Sequence, residues 1–414
     1  MNLNPVRHAL LIICFVCLHG SVAAAQDLVG LYLTWSRDPS TTMTVNWVDL
    51  YPKNTNTVFY REQGTTEWKS GEAKQLVIEP SSLQRRYLEL TDLRPDTRYE
   101  FGIGKRLEKP LDGWTFRTMP AELTRPIRFV TGGDMMHSRA MLDAMSAQVG
   151  PLEPDFALLG GDLAYENGVL ATRIVEWLMS WKQLGMTRDR RLIPMVLTIG
   201  NHEVRGHYNG KIPDDAPYFY RLFTLPEDRA YYALDFGKYL SLIVLDSGHT
   251  NPIEGEQASW LAGALQRRAA QTFLFPIYHF PAYGTTKAPE GKLPIDIPRA
   301  ISIREHWTRQ FDRFGVSAVF ENDHHNFKRT HPLRAHQRDD ANGIRYLGDG
   351  AWGVRTRSVP DLSQAWYLEK AEPRNHMWIV DLKPDKTVKV RAMDPTGEVF
   401  DELQLPAART TPAP

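Results

Sequence analysis

Ile127-Arg128-Phe129-Val130-Thr131-Gly132-Gly133-Asp134 is an apolar run that ends on a carboxylate. The same phrase returns with different endings. Phe156-Ala157-Leu158-Leu159 leads to Gly160-Gly161-Asp162-Leu163-Ala164-Tyr165, and Met195-Val196-Leu197-Thr198-Ile199 leads to Gly200-Asn201-His202-Glu203. Phe273-Leu274-Phe275-Pro276-Ile277-Tyr278 leads to His279, and Val316 to Phe320 runs into Glu321-Asn322-Asp323-His324-His325-Asn326. Short apolar runs of this kind read as buried strands. Helical stretches lie between them, around Met141 to Gln148, Arg173 to Leu184, Gln257 to Arg268 and Ile303 to Phe314. Tyr231 to Phe236 and Leu240 to Leu245 read as paired strands joined by Gly237-Lys238. Strands alternating with helices mark an α/β domain. Ligands of open α/β sheets bind beyond the carboxyl ends of the strands, so the five polar endings are expected to meet at one rim. The glycines before Asp134, Asp162 and Asn201 are expected to make sharp turns that present the next side chain outward.

Carboxylates packed together without cations are prohibitively costly to bury, and metal ions resolve that cost. The two cysteines, Cys14 and Cys17, lie in the N-terminal apolar run, so a processed chain has no thiol. That excludes thiolate mechanisms and cysteine metal sites. There is no Gly-x-Ser-x-Gly elbow for a serine nucleophile. Every histidine after His19 lies at or beyond His137, and oxygen with imidazole ligands suits iron, zinc or manganese. Two metals about 3.5–4 Å apart can clamp both oxygens of an in-line displacement at phosphorus. Metal-bound hydroxide is then the expected attacker.

Working outward, residues 26 to 120 read as an all-β sandwich. Leu31 to Trp35, Met43 to Trp47, Val58 to Arg61, Arg86 to Leu90, Tyr99 to Ile103 and Gly113 to Thr118 are short runs rich in β-branched and aromatic residues. Turn-forming clusters such as Arg37-Asp38-Pro39-Ser40 and Pro52-Lys53-Asn54 separate them. Leu93-Arg94-Pro95-Asp96-Thr97-Arg98-Tyr99 fits a tyrosine corner, and the pattern resembles fibronectin type III. The stretch has no histidine and no clustered acid, so no catalysis is assigned to it. Met119 to Glu122 reads as a linker, and residues 125–405 as the catalytic domain.

Residues 1–25 fit a cleaved signal peptide: Arg7 and His8, the apolar Ala9 to Leu18, then Ala23-Ala24-Ala25. The apolar run is too short to span a bilayer, so a secreted or periplasmic protein is expected, with no membrane contact after cleavage. Residues 406–414 read as a disordered tail. Lys plus Arg and Asp plus Glu number 49 each. That balance predicts no nucleic-acid partner.

With those residues in order, the chain is similar to the purple acid phosphatases among the calcineurin-like metallophosphoesterases. The family pattern reads Gly-Asp, Gly-Asp-x-x-Tyr, Gly-Asn-His-Glu, a strand-end His, and Gly-His-x-His. The resemblance spans nearly the whole chain beyond residue 25, because those enzymes also carry a fibronectin-like N-terminal domain. It implies a four-layer αββα catalytic fold and two metal ions. The first, iron(III), would be held by Asp134, Asp162, Tyr165 and His325, with the Tyr165 phenolate giving a visible colour. Asp162 would bridge to zinc, manganese or iron(II) held by Asn201 and His279. His202, with Asn201, would contact substrate phosphate.

Two departures stand out. The first histidine of Gly-His-x-His is Asp323, so either Asp323 or the neighbouring His324 is expected on the second metal. Beyond His279, where relatives carry histidines that protonate the leaving group, stand Tyr283, Thr285, Thr286 and Lys287. The general acid is left to His202 or an outer residue. His137, His207 and His249 read first as packed or surface residues, Arg205 and Lys211 equally as phosphate contacts or solvated charges, and Asp349 as a turn. The expectation is hydrolysis of small-molecule phosphate monoesters. A phosphodiesterase with the same centre is the nearest alternative, to be separated by the pocket around Tyr208 to Tyr220. A non-catalytic binding protein is the alternative of another class.

Overall fold

The computed structural model describes residues 28–49, 56–79, 81, 83–104, 113–206 and 212–407. The signal segment, the turn at 52–54, His207, Tyr208, Lys211 and the tail from 408 onward lie outside them.

Two sheets make the core of the α/β domain. Three parallel strands, Ile127–Gly132, Phe156–Leu159 and Met195–Leu197, lie side by side at the centre of a ten-stranded sheet. The antiparallel strands Met377–Leu382, Val388–Met393 and Val399–Leu405 extend it on one side. The second sheet has seven strands in the order Tyr232–Phe236, Leu240–Val244, Phe273–Ile277, Val319–Phe320, Tyr346–Gly348, Phe327–Thr330 and Leu368–Glu372. Phe129 of the first sheet meets Phe275 and Phe320 of the second edge to face, at 5.9 and 6.2 Å. Helix Ala171–Leu184 buries Ile174, Trp177, Leu178 and Trp181 on the first sheet's side. Helix Glu256–Arg267 and the helical stretch 298–314 bury Leu261, Leu265, Trp307 and Phe311 on the second. The stretch contains a π turn at Arg304–Thr308.

The N-terminal β-sandwich pairs Leu28–Thr34, Met43–Asp49, Leu83–Leu90 and Lys74–Ile78 against a four-stranded sheet of Lys69–Glu72, Thr57–Glu62, Arg98–Ile103 and Trp114–Arg117. The Tyr99 hydroxyl accepts from the Arg94 N–H at 2.9 Å, a bond of the tyrosine-corner kind. Its first sheet does not stop at a domain boundary. Thr34 pairs in parallel with Met195, so the sandwich and the α/β domain share one ten-stranded sheet. Trp35 packs edge-on against Phe156 and Phe236, one from each catalytic sheet.

No helix among the described residues is long and apolar enough to cross a membrane.

Candidate metal centre

The five strand ends do converge, but the turns work differently from the sequence expectation. Gly161 has φ +88°, whereas Gly133 and Gly200 are needed for close approach. A Cβ on Gly200 would collide with Asp162 Oδ1, and one on Gly133 with the Gly160 carbonyl and the Asn322 amide. The left-handed backbone is carried by the functional residues themselves: Asp134 (φ 56°), Asp162 (53°), Tyr165 (54°), Asp323 (77°) and His325 (61°). Each costs about 1 kcal/mol or more, strain of a kind that collects at functional sites.

Asp134, Asp162, His279 and Asp323 are all buried, with one ligand atom from each lying within 4.8 Å of the others. On one flank, Asp134 Oδ1 lies 3.2 Å from the Tyr165 hydroxyl and 3.0 Å from His325 Nε2. Tyr165 and His325 are 3.1 Å apart. On the other flank, His279 Nε2 lies 3.3 Å from Asp162 Oδ2, 3.2 Å from Asn201 Oδ1 and 3.8 Å from Asp323 Oδ1.

The donor set fits metal ions. His279 Nδ1 lies 2.8 Å from the Gly160 carbonyl, which fixes its proton there and leaves the Nε2 lone pair facing the carboxylates. His325 Nδ1 faces the Arg355 carbonyl at 3.3 Å with the same result. Such outer hydrogen bonds orient metal-binding imidazoles. Burial disfavours a charged His279, yet Asp162, Asp134 and Asp323 push its pKa up to about 10. The site's potential calls for positive charge at Nε2. Burial also opposes ionisation of Asp162, but His279 and His202 hold it well below the usual carboxylate range. Tyr165 is raised well above its usual value by burial and then by Asp134, Asp162 and Asp323, so a phenolate there needs a strong cation.

Of Asp323 and His324, it is the Asp323 carboxylate that lies in the cluster. His324 Nδ1 accepts backbone N–H bonds from Thr285 and Thr286, at 2.9 and 3.0 Å. Its proton therefore sits on Nε2, 3.5 Å from Asp323 Oδ2. His324 braces Asp323 rather than joining the cluster.

His202 lies beside the cluster, not in it. Its backbone N–H donates to Asp162 Oδ1 at 2.8 Å, its ring stacks on Tyr165 at 4.1 Å, and its Nε2 is 3.9 Å from Asp162 Oδ2. Glu203, quoted above only as part of a motif, ties the two loops together. Its carboxylate accepts from the N–H groups of Gly200, Asp162 and Leu163 at 2.7–2.8 Å. A buried acid closing Gly-Asn-His-Glu was the available signal.

Asp349 is not a simple turn. It is fully buried, accepts from Thr285 N at 3.0 Å, and lies 3.5 Å from the buried Lys328. Lys328 also pairs with Glu321, which accepts from Tyr278 and Ala282. This network backs the loops that carry His279 and Asp323. His137 packs edge-on to Tyr165 and His325, at 4.9 and 5.2 Å. His249 is buried against His279 and Phe280, whereas Arg205 is exposed.

Residues 28–118 match the purple acid phosphatase N-terminal domain, and residues 127–316 match the calcineurin-like phosphoesterase family. Two uncharacterized proteins of Mycobacterium tuberculosis, from strains CDC 1551 / Oshkosh and ATCC 25618 / H37Rv, are each 27% identical over 357 residues, covering 75% of this chain. The chain spans 64% of their length. A purple acid phosphatase from yellow lupin (Lupinus luteus) seeds superposes with a TM-score of 0.74 at 17% identity, over 90% of this chain and 73% of that one. At that identity the likeness is one of fold.

Proposed function

The chain belongs to the calcineurin-like phosphoesterases, with the N-terminal domain of purple acid phosphatases in front, and on that premise we propose that it hydrolyses phosphate monoesters at a dinuclear metal centre. The observation that carries this reading is the buried Asp134–Asp162–His279–Asp323 cluster, flanked by Tyr165 and His325 on one side and Asn201 on the other.

In this reading Asp134, Asp162, Tyr165 and His325 would hold iron(III). Asp162, Asn201, His279 and Asp323 would hold zinc, manganese or iron(II). Bound metals supply Lewis acidity toward the phosphate oxygens and lower the pKa of water. The chain does the positioning. Stacking on Tyr165 and the bond from its backbone to Asp162 hold His202 where it can donate to a phosphate oxygen. Asn201 orients the same phosphate, and Glu203 fixes the turn that carries both residues. The N-terminal segment fits export, so the proposal places this chemistry in the periplasm or outside the cell.

The test compares an aryl phosphate monoester with the matching diester, with iron, zinc and manganese each supplied and Asp162→Ala as control. A monoester rate well above the diester rate, lost in the variant, is expected. A dominant diester rate would move the protein to the phosphodiesterases, and binding of metal without hydrolysis of either ester would overturn the catalytic reading.

A further inference from the structure

A cavity of about 310 Å³ opens beside the candidate centre. Asn201 and Asp323 in its wall belong to that centre, while Phe280, Lys287 and Arg299 do not. Arg299 is the unusual member. Its guanidinium lies over the Phe280 ring, 3.6 Å from the centroid. Among the described residues it forms no ion pair and no hydrogen bond, and its Nε is buried without a partner. Burial draws its pKa down to about 10 in spite of Asp323 and Asp246. Arg299 is half-buried in the cavity wall, and its contact with Phe280 leaves its hydrogen-bond donors unused by the protein.

Lys287 stands in the same wall with Nζ 2.5 Å from Asp323 Oδ1. Asp323 is already shared among Lys287, His324 and His279. The cavity therefore holds two cations and one carboxylate, and that carboxylate is engaged.

We infer that this cavity receives the alcohol side of the scissile ester and selects one bearing its own anionic group, a carboxylate or a second phosphate. The inference rests on the phosphoesterase reading: with a phosphate held near Asn201 and Asp323, this cavity is space that its ester substituent can enter, beside Phe280 and Arg299. A guanidinium held over an aromatic face spends none of its N–H donors on that contact, so they stay free to pair along their edge. That edge matches a carboxylate or phosphate with two parallel hydrogen bonds. Lys287 adds a compact charge at the same wall. The anionic substituent supplies the partner that the fold withholds from Arg299.

The test uses phosphonates, which bind but are not hydrolysed. Calorimetry on the metal-loaded protein compares phenylphosphonate with its 3- and 4-carboxy derivatives, in the unmodified chain, Arg299→Met and Arg299→Lys. The ratio of Kd values within each protein cancels any loss of fold or metal common to all ligands. The better carboxylated ligand is expected to bind about tenfold tighter than phenylphosphonate, or more. That ratio should fall toward one in Arg299→Met and be partly kept in Arg299→Lys. Equal affinities in the unmodified chain, or an unchanged ratio in Arg299→Met, would overturn the inference. Equal weakening of all ligands in Arg299→Met leaves that ratio unchanged and overturns the inference in the same way. Turnover of phenyl phosphate, measured alongside, reports separately on the catalytic reading.

Discussion

In the proposed centre, Asp323 sets the donor character of the His279 flank. With Asp162, Asn201 and His279 it would make the second metal site mostly oxygen, and oxygen-rich sites favour manganese or iron over zinc relative to imidazole-rich ones. Asp323→His is expected to shift competition between zinc and manganese at least about tenfold toward zinc. An unchanged ratio would show that Asp323 does not touch the metal. Glu203 acts at one remove. Glu203→Ala leaves three backbone N–H groups without their acceptor, which should cost about 3 kcal/mol or more in denaturant unfolding. It should also weaken metal binding about 10–100-fold. Wild-type metal affinity in that variant would show that the Asp162 turn holds itself. The cluster residues were legible because each follows an apolar run whose end the α/β fold points at one rim. Arg299 and Lys287 were not. Lys287 sits in an irregular connection and Arg299 in the first turn of the helical stretch 298–314, neither within a repeated pattern, and only the packing of Phe280 beneath Arg299 and the Lys287–Asp323 contact give them meaning.

Strand Met377–Leu382 shows what elements add beyond motifs. It pairs antiparallel with Ile127–Gly132, so a C-terminal strand supports the very strand that delivers Asp134. The central strands were readable from their continuous apolar runs. The C-terminal strands were missed although Val388-Lys389-Val390-Arg391-Ala392 alternates with period two, because no ligand-bearing ending drew attention to them. His376, just before Met377, is buried against Phe327 and Trp378. Burial lowers its pKa from the ordinary 6.5 to about 4. Between those values the unfolded chain binds more protons than the folded one. The contribution is complete above 6.5 and is lost as pH falls toward the folded value, amounting to about 2.5 kcal/mol by about pH 4.5. Urea unfolding at about pH 7 and about pH 4.5 should show this loss in the unmodified chain and a smaller one in His376→Phe. Identical pH slopes would mean His376 takes up its proton in the folded state.

At the scale of the whole molecule, the sandwich and the catalytic domain are joined rather than merely consecutive. The shared ten-stranded sheet, Trp35 between Phe156 and Phe236, and the Tyr32 hydroxyl bonded to the Leu222 carbonyl at 2.5 Å all cross the boundary. The sequence showed two domains because composition and rhythm change near residue 120. It did not show their fusion, since one parallel pairing at Thr34 and Met195 leaves no periodic trace. Trp35→Ala should cost about 3–5 kcal/mol and lower both domains together in a single calorimetric transition. Two separate transitions in the unmodified chain would contradict the joined architecture. The central claim is the dinuclear centre, and its most direct test is metal content measured together with turnover of a phosphate monoester. Two bound ions per chain are expected, with turnover lost on chelation, restored on adding metal back, and absent in Asp162→Ala. Turnover that persists with no bound metal would contradict the claim.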